Sequence, residues 1–407
     1  MTAHETAVTG LGLVTAAGVG VKATWSRLCQ GHPTATRDPA LHGLPVDFNC
    51  RVPETELANA LGRGLRWRTD RFIQLALVAA REAVRDARLE PAQWSGERVG
   101  VIVGVGGSSY DTMPQVCAHL ARATPEIISP TAVPRGIPNM AAGEIAVDLG
   151  ARGPGMSVST ACASGATALG IAHHLLSAGM CDIALAGGSD SGCHPLTAAG
   201  FWRLGALSTR RHDPAGASRP FDTDRDGFVL AEGAAIMVLE RAEHARARRV
   251  HPYGMLAGFS ATTDAHHHTR PHPQGDGALR ALRGALSDAG LPPTDIDHIN
   301  AHASSTPLND RVEAAALCEV FPEPPPVTAT KSVLGHSLGA AGAIEAIISL
   351  MSLRHQTIHP TANLDTIEDG IALDIVTKAP RPQRMRAVLS ASFGFGGHNA
   401  VLVLTAP

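Results

Sequence analysis

Gly155-Met156-Ser157-Val158-Ser159-Thr160-Ala161-Cys162-Ala163-Ser164-Gly165 is the stretch on which the fold turns. Gly155 to Ser159 reads as a short buried strand, and Ala166 to Ala178 as an apolar helix ending at Gly179. Cys162 therefore sits at a strand-to-helix junction. Unpaired N–H groups and the helix dipole favour negative charge there. Such a position lowers a thiol from its usual value near about 8.5 and makes it a nucleophile. A cysteine taken alone is more often a buried packing residue, so the decision rests on residues elsewhere.

Outward from this junction, strand-like and helix-like runs alternate. Val8–Val14, Val99–Gly104, Ile183–Gly188, Ala234–Glu240, Tyr253–Ser260 and Ile296–Ala301 read as strands. Val21–Gln30, Phe72–Ala87, Gly277–Ala289 and Leu338–Leu353 read as helices, and Arg386–Ser392 with Ala400–Leu404 as a closing hairpin. The alternation indicates an α/β protein. Two successive halves, 1–250 and 251–407, are expected, although no residue-level repeat is visible.

Composition narrows the class. The 407 residues are 44% hydrophobic and 17% charged, enough for a large core, and the net charge of −3 gives no reason to expect nucleic-acid binding. Seven scattered cysteines without a CxxC pair point to a reducing compartment. Met1–Val8 carries Glu5 and no cationic run, so no secretory signal is expected. No uncharged run reaches the roughly 18 residues of a membrane span. A cytoplasmic protein is expected.

Four further sites carry chemistry. His302 closes a strand and opens Ala303-Ser304-Ser305-Thr306-Pro307. His336 lies in the small-residue run Lys331-Ser332-Val333-Leu334-Gly335-His336-Ser337-Leu338-Gly339, entering a long helix that carries Glu345. A buried lysine needs a partner, so a Lys331–Glu345 network is expected. Phe393-Gly394-Phe395-Gly396-Gly397 is a Gly-rich turn suited to a mobile aromatic gate.

In order and context, Cys162, His302, Lys331, His336 and the Phe393–Gly397 turn resemble the β-ketoacyl synthases, decarboxylating condensing enzymes with a thiolase-like fold. Arg152-Gly153-Pro154, Ala186-Gly187-Gly188 and Ser218-Arg219-Pro220-Phe221-Asp222 extend the resemblance over nearly the whole chain. It implies two similar halves in a layered α-β-α-β-α architecture. It implies Cys162 as acyl-accepting nucleophile, with its own N–H and that of Phe395 as the oxyanion hole. It makes His302 and His336 stabilisers of charge on a malonyl thioester, supported by Lys331 and Glu345. Ser304 and Thr306 would hold the pantetheine arm, Thr269 would border its entrance, and Phe393 and Gly107 would line the substrate space. No metal and no cofactor are expected beyond the phosphopantetheine of an acyl carrier protein. That acidic partner would dock on Arg63, Arg66, Arg68 and Arg71 and on Arg203, Arg210 and Arg211. The implied dimer is either a homodimer or a pairing with a chain-length-factor subunit.

Departures from the family pattern are Ala303-Ser304 in place of Gly-Thr, His398 in place of Thr, Ala400 in place of Gly, and a small residue at Gly107. They suggest a specialised polyketide or polyene substrate in preference to an ordinary fatty-acid chain. Two rival functions remain. Gly335-His336-Ser337-Leu338-Gly339 fits the G-x-S-x-G elbow of α/β-hydrolases and thioesterases, with Asp365 or Asp374 and His398 available. A non-catalytic chain-length partner is the other. Gly10-Leu11-Gly12 lacks the third glycine of a dinucleotide fingerprint. His266-His267-His268 with His272 lacks zinc-site spacing.

Overall fold

The protein's computed structural model describes residues 5–62, 64–107 and 109–407. Eleven strands form one sheet: β1 (Thr6–Thr15), β2 (Gly18–Val19), β3 (Val99–Gly104), β4 (Gly155–Val158), β5 (Ile183–Ser191), β6 (Glu232–Arg241), β7 (Gly254–Thr263), β8 (His298–Asn300), β9 (Val327–Thr328), β10 (Ala387–Gly394) and β11 (His398–Thr405). Their spatial order is β9-β8-β10-β11-β7-β1-β6-β5-β3-β4, with β2 turned back on β1.

That order contains a repeat which the residues conceal. From the centre outward, the first half runs β1-β6-β5-β3-β4 and the second β7-β11-β10-β8-β9. Numbered within each half, both read 1-5-4-2-3. The pairing senses match as well. The two inner pairs of each half are antiparallel and the two outer pairs parallel. The halves join where Thr6–Val8 pairs antiparallel with Gly254–Leu256. Beyond Val8 they part. On that freed edge, the Leu11 and Leu13 N–H groups donate to Asp86 and Glu82 at 2.9 and 2.8 Å. Two carboxylates of one helix thus satisfy backbone donors that a strand would otherwise take.

Five helices build the layers: α1 (Arg71–Asp86), α2 (Ser164–Ser177), α3 (Asp276–Ala289), α4 (Pro307–Val320) and α5 (Ala341–His355). α1 covers the outer face of the first half, and α3 and α4 cover the second. α2 and α5 lie between the halves and touch strands of both. Ala341 to Leu353 of α5 are all buried, as befits a helix with apolar neighbours on every side. The result is the layered α-β-α-β-α arrangement. Among the described residues, no helix is long and apolar enough to cross a membrane.

Two expectations change. Gly155–Val158 is not a buried strand. It is the outermost strand of its half, paired among the described residues only with β3, so Gly155 is exposed and the rest half-buried. The helix expected from Leu338 opens with a tight 3₁₀ turn, Leu338–Ala340, and becomes α-helical at Ala341.

The layers meet closely between β5 and that turn. A Cβ on Gly188 would stand 2.6 Å from the Gly339 carbonyl oxygen and 3.0 Å from the Gly165 Cα. Backbone cannot yield as a flexible side chain can. Gly188→Ala is therefore expected to destabilise the protein by about 1–3 kcal/mol, read as a lower midpoint in denaturant unfolding. A wild-type midpoint would show that the layers have room there.

Candidate active site

Cys162 lies in the Ala161–Ala163 turn between β4 and α2. The preceding residue, Ala161, has φ 50°, a left-handed conformation unusual for a residue with a Cβ. Ser164 fixes the turn, accepting the Thr160 N–H at 2.9 Å and donating to the Ala161 carbonyl at 2.6 Å. The end of β10 comes in from the other half, with Gly394 directly against the Cys162 nitrogen. As a result, the N–H groups of Phe395 and of Cys162 itself both address the sulfur. Burial pushes the thiol up to about 11, opposed by Lys331 and those N–H groups and reinforced by Asp190. The lowered thiol expected from the helix start is thus overturned. The helix end is present, but burial outweighs it.

His302 follows β8. Its N–H and that of Ala303 each donate to one oxygen of Glu313 on α4, both at 2.7 Å. This bidentate grip holds a strained turn, since Ala303 has φ 37° and Ser305 φ 68°. Lys331, 2% exposed, donates to the His302 carbonyl at 2.6 Å, lies 3.3 Å from its Nδ1, and pairs with Glu345. A neutral imidazole that accepts at Nδ1 carries its proton on Nε2. His336 is anchored through its N–H to the Val229 carbonyl at 2.8 Å, and the two imidazole centres are 5.4 Å apart. Burial first, and Lys331 second, hold both imidazoles well below the usual histidine range. They are neutral donors. Burial also raises Glu345 to about 7 against the pull of Lys331, and Glu313 to about 7 against the N–H groups it accepts.

These groups share one cavity of about 400 Å³. Cys162, His302, His336, Phe393 and Phe395 line it, as do Ser304 and Thr306, whose hydroxyls are 2.9 Å apart, and Thr269 and Arg270. The Phe395 ring lies 6.2 Å from Phe201, and Phe228 packs on His336 at 5.2 Å. Gly396 donates its N–H to the His268 carbonyl at 2.8 Å, joining the Gly-rich turn to the histidine-rich loop. That loop packs on itself, His267 on His268 at 4.2 Å and His266 against His272 at 5.2 Å.

Other expected residues lie elsewhere. Gly107 does not line the cavity. Its N–H donates to Asp190, and Tyr110 fills the space a side chain there would take. Arg71 is withdrawn from the docking surface, because its guanidinium is buried and bound to Glu232 at 2.6 and 2.7 Å and to Glu54 at 2.6 Å. Arg63 lies outside the described residues. Ser337 faces a small void beside Thr330 and Glu345, away from the cavity, and follows a helical turn, Lys331–Leu334, where a hydrolase elbow needs a strand. The hydrolase reading fails on both counts. Glu313 and Arg270 were missed. The one signal for Glu313 was a charge on the apolar, core-facing side of α4, beside Ala314, Ala316 and Leu317.

Comparison with known proteins agrees along the full chain. Residues 3–245 match the family model described as beta-ketoacyl synthase, N-terminal domain, and residues 253–365 match the corresponding C-terminal domain. A 3-oxoacyl-[acyl-carrier-protein] synthase 2 of Coxiella burnetii is 38% identical over 412 residues, covering 100% of this chain and 99% of the relative. One of Staphylococcus aureus is 38% identical, covering 97% and 99%. Among solved structures, the ishigamide ketosynthase/chain length factor superposes with TM-score 0.93 at 33% identity, covering 100% of both chains. A type II polyketide ketosynthase, bound to the hexaketide and in complex with its acyl-carrier protein, gives 0.93 at 32%, again covering 100% of both.

The strain at Ala303 is testable. Ala303→Gly removes a left-handed alanine and is expected to stabilise the fold by on the order of 1 kcal/mol with the cavity unchanged. Unfolding no later than wild type in denaturant would show that Glu313 holds the turn without strain.

Proposed function

The chain belongs to the β-ketoacyl synthase family, and from that premise we propose that Cys162 carries the growing acyl chain while His302 and His336 act on the incoming malonyl thioester. The enzyme is a condensing acyltransferase. The observation that carries the assignment of roles is the meeting, in one cavity, of a thiol addressed by two N–H groups and two neutral imidazoles.

Cys162 Sγ attacks the acyl thioester on the carrier, and the tetrahedral oxyanion is held by the Cys162 and Phe395 N–H groups. The carrier thiol leaves with the proton that the cysteine gave up. Malonyl carrier protein then places its thioester oxygen against the two imidazole N–H donors. The bond to the carboxylate breaks, carbon dioxide departs, and its electron pair becomes an enolate stabilised by those donors. The enolate carbon attacks the Cys162 thioester. Collapse releases the β-ketoacyl product on its carrier, and the thiolate takes a proton from solvent, the one proton the overall reaction consumes. Neutral imidazoles suit this role, since they donate while leaving the negative charge on the enolate oxygen. Substrates ride on phosphopantetheine, threading between Ser304–Thr306 and Thr269, with no further cofactor.

The acidic carrier docks on Arg66, Arg68, Arg203, Arg210 and Arg211, and Arg270 on the cavity rim adds to them. Arg203 is exposed and immediately precedes Leu204 at the cavity mouth. Three of these are partly committed, Arg66 to Glu54 at 2.8 Å, Arg211 to Asp47 at 3.0 Å and Arg210 to the Asp224 carbonyl at 3.0 Å. A dimer forms across β4, whose outer edge is unpaired among the described residues and which packs against the helix Met140–Leu149 carrying the exposed Val147. The second subunit is a copy of this chain or a chain-length factor. The free thiols favour a cytoplasmic setting. The departures at Ala303-Ser304, His398 and Ala400 support a specialised acyl chain over an ordinary fatty one, a choice on which the full-length likenesses divide between a type II polyketide ketosynthase and 3-oxoacyl-[acyl-carrier-protein] synthase 2.

Cys162→Gln is expected to abolish condensation and leave malonyl decarboxylation, measured as carbon dioxide release from malonyl carrier protein. Continued condensation in that variant would overturn the assigned roles. A catalytically silent partner subunit would show neither activity even in the wild-type chain.

A further inference from the structure

Asp190, the penultimate residue of β5, has 1% of its surface exposed, and the reaction steps above give it no task. Its Oδ2 accepts the N–H groups of Gly106, Gly107 and Gly339, each at 3.1 Å, and its Oδ1 accepts that of Ser191 at 3.0 Å. Among the described residues it has no ion pair with lysine or arginine. The carboxylate is satisfied wholly by backbone donors, and hydrogen bonds to a charged acceptor are the stronger kind.

Three of those donors come from two turns that pack on each other, since a Cβ on Gly106 would lie 2.9 Å from the Gly339 nitrogen, and the fourth, Ser191, belongs to β5 itself. Gly106 belongs to the turn after β3, and a Cβ there would lie 3.1 Å from the Ala161 carbonyl, one residue before the nucleophile. Gly339 belongs to the turn after His336. Its neighbour Leu338 lines the cavity in a strained left-handed conformation, φ 51°. Strained backbone persists only where its surroundings over-determine it. We infer that Asp190 is a positioning residue, which ties the turn beside Cys162 to the turn beside His336 and so fixes the spacing between the thiol and the imidazole pair. The charge also lies close enough to Cys162 to disfavour its thiolate. The inference rests on the catalytic roles proposed for Cys162 and His336.

Asparagine keeps one oxygen, but its NH₂ must face at least one of the four N–H donors. Serine keeps an acceptor without charge. In Asp190→Asn and Asp190→Ser, kcat for condensation is expected to fall about tenfold while KM for malonyl carrier protein stays within about threefold. The midpoint of the pH profile for alkylation of Cys162 by iodoacetamide is expected to move down, since an anion that disfavours the thiolate is gone. The other charged or titratable groups facing the thiol, Lys331, His302 and His336, are untouched in these variants. An unchanged alkylation profile, or kcat within about twofold of wild type, overturns the inference. So does failure of both variants to fold, which would make Asp190 a folding residue. Alkylation needs neither acyl nor malonyl substrate, so its outcome stands even if the proposed roles of Cys162 and His336 fail.

Discussion

A lysine nitrogen shut inside the central layer is the constraint that the rest of this site obeys. Lys331 is 2% exposed, and its three donors go to Glu345, to the His302 carbonyl and toward His302 Nδ1. Breaking a buried pair by removing one partner costs about 3–5 kcal/mol. Glu345 must therefore sit on a helix that is apolar all round, where sequence pattern alone would forbid it. The same nitrogen sets the tautomer of His302, aims its other N–H into the cavity and adds to burial in keeping both imidazoles uncharged. One cation thus prepares two neutral donors without itself lining the cavity.

Strained backbone marks the same places. Ala161, Ala303, Ser305 and Leu338 have φ between 37° and 68°, and each lies within three residues of Cys162, His302 or His336. Each strained turn is held from outside: Ser164 braces the Cys162 turn, Glu313 the His302 turn and Asp190 the Gly339 turn. The functional side chains stand on short turns, and one hydroxyl and two buried acids give those turns the rigidity that regular structure would otherwise supply.

Much of this was legible in the chain. The strand-to-helix junction at Cys162, the two histidines and the Gly-rich turn identified chemistry and family, because their order and small-residue contexts are specific. Two similar halves were expected from the run of elements and the resemblance, but no residue-level repeat was visible, since a strand order can repeat while its residues do not. Arg71 misled because a row of arginines reads alike whether it faces solvent or buried carboxylates. Gly155–Val158 read as buried because apolar residues on an open sheet edge look like core. The thiol of Cys162 misled for an electrostatic reason: a helix start lowers it and burial raises it, and only the packing says which prevails. Gly107 promised room that Tyr110, three residues on, occupies.

The central claim is that His302 and His336 stay neutral beside Cys162. Nitrogen NMR of ¹⁵N-histidine-labelled enzyme tests it directly, with the two rings assigned by the loss of signals in His302→Gln and His336→Gln. Both are expected to keep the neutral-ring pattern from about pH 8 down to about pH 5, with the His302 proton on Nε2. Protonation of either ring near the ordinary value of about 6.5 would contradict the account.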